Sequence, residues 1–359
     1  MKALVAMSGG VDSSVAAALM QEAGFEVIGV TLKQWVGPDG EMPTAGCCTV
    51  ADAEDARRVA AQLDVPYYVL DYVDEFTRAV VEPFGDSYLA GRTPNPCIEC
   101  NRKVRFSALF DRMDALGTDV LVTGHHARVR GDETGWHLLR AVDGNKDQSY
   151  VLHMLGQSEL SRIRFPIGEM TKTEVRERAA ALGLRTAAKP DSQDLCFVKS
   201  DYRSFLDTAL PETARPGTVV ATDGTVLGSH QGTTGFTIGQ RKGLGIALGE
   251  PRYVVEVRPA SAEVVVGTHD DLLVDGCMVS GVTFVAGHPP AAGHVDVKVR
   301  YRSKPIPATI QGDHDNPGGW RVSFHRKTPA PAPGQSAVFY DGEEVLGGGV
   351  IDDVFRTDG

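Results

Sequence analysis

Residues 6–14 read Ala6-Met7-Ser8-Gly9-Gly10-Val11-Asp12-Ser13-Ser14, directly after the apolar run Ala3-Leu4-Val5 and directly before the periodic apolar stretch 15–20. A strand, a Gly-Ser loop and a helix in that order form a cradle for the pyrophosphate of a nucleotide. Gly9 and Gly10 permit the positive φ and the close backbone approach that phosphate oxygens require. Ser8, Ser13 and Ser14 add hydroxyl donors, and the helix points the positive end of its dipole at the anion. Asp12 repels phosphate unless a divalent cation lies between them, so it is read as a Mg²⁺ ligand. The Lys-Ser/Thr ending of a Walker A loop is missing, so γ-phosphate transfer of that kind is not implied. A plain Gly-Ser turn opening a helix explains two glycines but poorly explains three serines and an aspartate crowded at one helix start.

Working outward, the first half alternates apolar strands (3–6, 26–32, 67–70, 120–123) with amphipathic helices (14–23, 51–63, 76–89, 104–116). That alternation predicts an α/β fold, a doubly wound parallel sheet covered on both faces. Ligands of such sheets bind at the carboxyl ends of the strands, where Ser8 and Gly124 fall. Residues 128–130 and 136–140 predict a small hairpin inserted after the sheet, and Thr171 is placed to cap a helix over 171–182. Near Pro211–Gly217 the texture changes to short β-rich runs separated by Gly, Pro and Asp, which predicts two small β-rich domains, the last a β-barrel. The expected boundaries are 1–205, 206–272 and 273–359.

The 359 residues carry six cysteines, too few for a disulfide scaffold, so a reduced, cytoplasmic setting is expected. No apolar run approaches the roughly 20 residues of a membrane span, and the N-terminus shows no export signal. The net charge of −11 argues weakly against a nucleic-acid partner, because local patches decide at physiological salt. Residues 294–327 hold seven basic side chains (Lys298, Arg300, Arg302, Lys304, Arg321, Arg326, Lys327) against three aspartates. A solvated basic face and a phosphate-contacting face fit that run equally.

Pro94-Asn95-Pro96-Cys97-Ile98-Glu99-Cys100-Asn101 places a Cys-x-x-Cys in a proline-stiffened loop that opens a helix starting near Arg102. The helix start and the nearby Arg102, Lys103 and Arg105 favour thiolate. Cys196 lies in a polar loop, Asp191-Ser192-Gln193-Asp194-Leu195-Cys196-Phe197. Structural zinc wants four ligands and a second Cys-x-x-Cys pair is absent. A dithiol redox couple leaves Cys196 unused. Sulfur chemistry on an activated substrate uses all of them and also explains the nucleotide loop. Cys47, Cys48 and Cys277 read as structural.

SGGVDSS resembles the loop of the PP-loop ATP pyrophosphatases, which cleave ATP between the α and β phosphates and adenylate an oxygen. TPNPCIECNRKVRF, GNKDQSYVL, DSQDLCF, GFTIGQRKGLG, KVRYRS and PGQSAVFYDGEEVLGGG together resemble the motifs of the tRNA-specific 2-thiouridylases, the MnmA and TrmU family, across nearly the whole chain. The resemblance implies ATP-dependent thiolation of C2 of the wobble uridine in tRNAs for Lys, Glu and Gln, with a sulfur donor protein as a further partner. It implies a nucleotide site lined by Ala6, Met7, Ser8, Gly9, Gly10, Val11, Asp12, Ser13, Leu32 and Gly124. It implies a persulfide on Cys196 and a resolving thiol at Cys100, which either attacks that persulfide, leaving a Cys100–Cys196 disulfide, or frees hydrosulfide. Asn95, Pro96 and Cys97 are expected to face the flipped uracil, since chemistry on a base takes it out of the stack. Lys146, Asp147, Gln148, His125, Arg300, Tyr301 and Gln335 match tRNA contacts. From the residues alone, 146–148 fit a helix N-terminus and His125 a hydrogen-bonded strand end. Some family members carry aspartate where this chain has Cys97. Three thiols (Cys97, Cys100, Cys196) raise an iron–sulfur cluster as the mechanistic alternative. A PP-loop ligase of small acids and a non-enzymatic, tRNA-binding sulfur carrier are the rival functions.

Overall fold

The computed structural model describes residues 1–37, 49–191, 195–198, 202–209, 215–246, 249–314 and 316–357. Cys47, Cys48 and residues 192–194 of the cysteine loop lie outside them.

Strands β1 (Lys2–Ala6), β2 (Glu26–Lys33), β3 (Tyr67–Asp71) and β4 (Val120–Thr123) match the expected runs to within a residue or two. With β7 (Ile163–Arg164) they form a five-stranded parallel sheet in the order β3-β2-β1-β4-β7. Alternation along each strand feeds two separate cores. Leu4 and Leu121 point to one face, with Phe106, Leu109 and Met113 of the helix Phe106–Leu116. Ala3, Val5, Val120 and Val122 point to the other, against α1 (Val11–Glu22), α2 (Val50–Gln62) and the helix Lys172–Ala181. The sheet is doubly wound, as the sequence predicts. Thr171 caps its helix in a reciprocal capping box with Glu174.

Two helices differ from expectation. The cysteine helix begins at Pro96, not near Arg102, and runs through a π-turn (Asn101–Arg105) into Phe106–Leu116. Asn95 accepts from the Ile98 amide and Pro96 takes the first helical position, so Cys97 and Cys100 lie on the first turns of a helix rather than in a loop. Helix 73–89 likewise holds a π-turn at Thr77–Val81.

The hairpin β5 (Ala127–Asp132) and β6 (Gly135–Arg140) forms where expected but belongs to another sheet. Strands β8 (Gly217–Ala221), β9 (Val226–His230), β10 (Tyr253–Arg258) and β11 (Glu263–Gly267) form a four-stranded sheet in the order β10-β11-β8-β9. Strands β12 (Leu273–Phe284), β13 (His294–Lys298), β14 (Ile306–Gly312), β15 (Trp320–Pro329), β16 (Ser336–Asp341) and β17 (Glu344–Phe355) run β12-β15-β14-β13-β16-β17 and close through a β12–β17 pairing. That closure makes the predicted barrel. The β5–β6 hairpin is attached to its outside through Leu138–Leu139 against Glu344–Val345. Arg128–Glu343 (2.9 Å) and His137–Glu344 (2.7 Å) ion pairs reinforce the junction. Among the described residues no helix is long and apolar enough to cross a membrane.

Candidate active site

The glycine-rich loop sits at the carboxyl end of β1. Gly9 holds φ +69°, and a Cβ there would lie 2.1 Å from the Asp52 carbonyl oxygen, so only glycine lets the loop press against the start of α2. A Cβ on Gly124 would lie 2.6 Å from the Ser13 nitrogen, so the end of β4 closes on the loop from the other side. The Met7 amide donates to Val30 O and Thr31 Oγ1 to Met7 O, tying the loop to β2 between Ala6 and Leu32. Ser13 Oγ accepts from the Ser8 amide (3.1 Å), while Gly10 begins α1 with no side-chain cap. The helix start at Val11–Ser13 therefore presents amide donors and a positive dipole end without an internal acceptor.

Asp12 does not stand alone. Lys172 Nζ lies 2.7 Å from both of its carboxylate oxygens and 2.9 Å from Asp191 Oδ1, and His126 Nε2 lies 3.3 Å from Asp12 Oδ1. Burial pushes the Asp12 pKa up, but the hydrogen bonds from His126 and Lys172 outweigh it and hold the carboxyl below its ordinary range. Asp191 also receives Lys146 (2.8 Å) and Arg176 (2.9 Å). Partial burial opposes ionisation there, yet Lys146 and Lys172 bring its pKa down to about 2. On the opposite flank Lys189 Nζ donates to Gly9 O (2.9 Å), Asp52 (2.7 Å) and Asp55 (2.6 Å).

Lys172 and Lys189 escaped the sequence reading, and Asp191 and His126 were seen there without a role in the site. Lys172 left one trace: a lysine in the first turn of a helix opposes the dipole and needs a partner elsewhere. Its acidic partners lie 160 and 19 positions away in sequence, so only folding shows them.

One strand-end away lies the thiol cluster. Immediately after β2 ends at Lys33 come Gln34, whose Nε2 donates to the buried Cys100 Sγ (3.1 Å), and the buried Trp35. Trp35, Phe76, Phe84, Tyr88, Phe197 and Leu206 form an apolar cluster that contains Cys100, with Cys196 half-buried against it. Phe197, next to Cys196, packs edge-on with Trp35, Phe76 and Phe84 at 5.1–6.1 Å. Cys100 and Cys196 thus share one cluster although 96 positions apart, and Cys97 stands exposed three residues before Cys100. Among the described residues no three His, Cys, Asp or Glu side chains group as a metal site. The Lys172 ammonium holds both Asp12 oxygens, the place that a Mg²⁺ ion arriving with ATP would have to take. Cys277 is fully buried in the barrel core, and burial pushes its thiol up to about 12, which suits a structural residue.

The residues expected to touch tRNA are placed unevenly. The His125 side chain is internal: Nδ1 is hydrogen-bonded to Thr123 Oγ1 (2.7 Å) and the ring lies between Phe106 and Phe165. Burial, with Arg105 nearby, lowers its pKa to about 3, so it stays neutral and the strand-end reading describes it. Asp147 is buried and accepts from Arg140 Nε, the Ala141 amide and the Ser149 amide, while Gln148 Oε1 accepts from the His126 amide. Those two side chains organise the turn before a 3₁₀ helix (Ser149–Leu152) instead of pointing outward. Lys146 is half-buried and pairs with Asp191.

Tyr301 is half-buried against Tyr150 (6.0 Å), and Cys97 contributes to the electrostatic field at its hydroxyl, so the two are neighbours. Arg300 donates to Ile238 O (3.1 Å) across Gly239. Gln335 Nε2 donates to Thr93 O (2.8 Å) and Pro94 O (3.4 Å), just before Asn95. The basic run 294–327 is not one face. Lys298 is buried within 5.9 Å of the Tyr150 and Tyr340 ring centres, and Arg321 covers Phe355, because strand alternation sends neighbours to opposite sides.

A phosphate-cradle loop on a parallel sheet, an apolar cluster with two cysteines beside it and two β modules define the class, an HUP-type α/β protein with an appended four-stranded sheet and a barrel. The family description "tRNA methyl transferase HUP domain" matches residues 1–200, "tRNA methyl transferase PRC-barrel domain" residues 203–268 and "Aminomethyltransferase beta-barrel domain" residues 274–351. The chain is 50% identical to the tRNA-specific 2-thiouridylase MnmA of Chloroflexus aggregans over 97% of both chains. It is 48% identical to that of Roseiflexus sp., covering 98% of this chain and 99% of the relative. A solved 4-thiouridine synthetase–RNA complex with bound ATP is 18% identical, covers 59% of this chain and 50% of its own, and has a TM-score of 0.37, too distant to carry a functional step. On the full-length relatives, the chain belongs to the tRNA-specific 2-thiouridylase family.

Proposed function

We propose that the chain is a cytoplasmic tRNA sulfurtransferase that spends ATP to replace the C2 oxygen of a wobble uridine by sulfur. Uridine O2 attacks the α-phosphorus, a bond to the β-phosphate oxygen breaks and pyrophosphate leaves. Loop amides at Gly9–Asp12 and the positive end of the α1 dipole balance the departing charge. Asp12, released from the Lys172 ammonium, would hold a Mg²⁺ ion carried in with ATP, and that ion would supply further charge neutralisation.

The terminal sulfur of a Cys196 persulfide attacks C2, and AMP leaves with the former carbonyl oxygen. Cys100 thiolate then attacks the Cys196 sulfur, releasing the thiolated base and forming a Cys100–Cys196 disulfide. In the other order Cys100 attacks the persulfide first, and the hydrosulfide it frees attacks C2. Both orders need two electrons from a cellular thiol to restore the cysteines. Asn95, Pro96 and Cys97 line the approach of the extruded base. A sulfur donor protein reloads Cys196, and tRNAs for Lys, Glu and Gln are the substrates.

The observation that carries this reading is Gln34: it extends from the strand beside the nucleotide loop to touch Cys100, so activation and sulfur delivery share one sheet edge. The test incubates purified protein with unmodified tRNA, ATP and a persulfide source, then digests the tRNA to nucleosides. We expect 2-thiouridine with AMP and pyrophosphate formed only when tRNA is present. Cys196→Ser is expected to abolish 2-thiouridine while AMP formation persists. Turnover of a carboxylate metabolite without tRNA selects the ligase, and persulfide loading without nucleotide consumption selects the carrier.

A further inference from the structure

All three parts of the chain converge on the four residues before Asn95. The Thr93 amide donates to Pro333 O (2.7 Å), and Gln335 Nε2 donates to Thr93 O and Pro94 O. Arg92 Nη2 reaches Ile351 O (3.1 Å) and Asp352 Oδ1 (2.8 Å) on β17. Thr93 Oγ1 meets Thr237 Oγ1 of the middle module at 3.4 Å, and a Cβ on Gly91 would lie 2.9 Å from Pro259. Gly334 holds φ +91°, and a Cβ there would come within 3.0–3.1 Å of the Thr93 backbone, so the barrel loop fits Thr93 as a close lid. Immediately beyond, Asn95 caps the helix that carries Cys97 and Cys100.

We infer that Gln335 is a positioning residue of the sulfur-transfer centre. Its amide holds two successive carbonyls of the strap that sets where the cysteine helix starts, and so couples the barrel to the thiols. Gln335 is bonded within the chain, and its effect on the reaction runs through Asn95 and the helix start. Removing the Gln335 amide frees the Thr93 and Pro94 carbonyls next to the helix cap, while Arg92 and the Thr93 amide stay tied to the barrel, so the helix start shifts without the strap coming away. Small displacements of reacting groups cost far more than the contact that was lost. The inference rests on the sulfur-transfer reading above, but its central measurement does not.

The test compares wild type with Gln335→Ala and Gly334→Ala in the full-length protein. The first removes the donor; the second pushes on Thr93 without altering any side chain that tRNA meets. The deciding readout is the rate of iodoacetamide labelling of Cys97 and Cys100, followed by peptide mass spectrometry without tRNA or ATP. We expect both variants to change the Cys97 or Cys100 rate by about threefold or more, while Cys277 stays unlabelled. In the thiolation assay we expect a fall of about 10- to 100-fold in single-turnover 2-thiouridine formation. For Gly334→Ala, which changes no residue expected to meet tRNA, affinity for tRNA is expected to stay within about twofold, the range of an ordinary surface substitution. Unchanged labelling in both variants overturns the proposal. So does a loss of tRNA affinity that accounts for the whole loss of thiolation, which makes Gln335 a tRNA contact. Wild-type protein that labels normally but never makes 2-thiouridine defeats the functional reading instead, and leaves the labelling comparison standing.

Discussion

Lys172→Met keeps the length of the side chain and deletes the ammonium that bridges Asp12 and Asp191. Deleting one partner of a buried ion pair costs about 3–5 kcal/mol, because the other charge is left unpaired. The carboxylates here are 29% and 24% exposed, and Asp191 keeps Lys146 and Arg176. Solvent screening and those remaining partners reduce the expected loss to about 2 kcal/mol. For an α/β unit of this size, that lowers the thermal midpoint by about 4–8 °C. The pH dependence gives the sharper signature. Asp191 titrates at about 2 in the folded chain against an ordinary 3.8, and Asp12 is also held low. Carboxyls with depressed folded values contribute stability that is complete above their unfolded pKa and lost as pH falls through the folded one. Without Lys172 both return toward or above 3.8, protonate at mild acidity and stop repelling each other. The deficit of the variant should therefore be largest at pH 7 and narrow toward pH 4. Differential scanning fluorimetry at one scan rate and one protein concentration measures it. An unchanged midpoint at pH 7, or a deficit that ignores pH, refutes the electrostatic argument.

Two further outcomes follow from the site. Gly9→Ala forces a left-handed φ on a residue with a Cβ, at about 1–2 kcal/mol, and drives that carbon into the Asp52 carbonyl. Titration calorimetry should then show ATP binding lost or greatly weakened, and wild-type affinity would discard the loop as the nucleotide site. The exposed cations of the 294–327 run are Arg300, Arg302, Lys304, Arg326 and Lys327. If Arg302 and Lys304 each neutralise a tRNA phosphate, the Arg302→Glu, Lys304→Glu double variant should reduce the slope of log affinity against log salt by about two; an unaltered slope removes that turn from the interface.

How much of this was visible beforehand differs from element to element. β1 to β4 and their helices were legible because each carries its own signal: apolar runs of strand length, helical periodicity and caps such as Thr171. The cysteine helix was legible too, had Asn95-Pro96 been read as cap and first position rather than as loop. The two π-turns left no mark, since inserting one residue into a helix does not change its composition. The β5–β6 hairpin was visible as a hairpin, but its partner, β17, begins more than 200 positions later. Lys298 looked like surface charge and is covered by Tyr150 and Tyr340, which lie on separate segments.

The sequence by itself determined the chemistry on offer: a glycine loop that accepts phosphate, thiols beside basic residues, and the apolar pattern of a two-faced sheet. Those are properties of short segments, whose conformations depend on neighbours within one or two turns. Tertiary structure decided which groups meet. Lys172 joins Asp12 to Asp191, Gln34 reaches Cys100, Cys196 shares its aromatic cluster, and Gln335 grips Thr93 from the barrel. Each meeting depends on long-range packing that no local window contains, because apolar burial brings the segments together and hydrogen bonds then select the register.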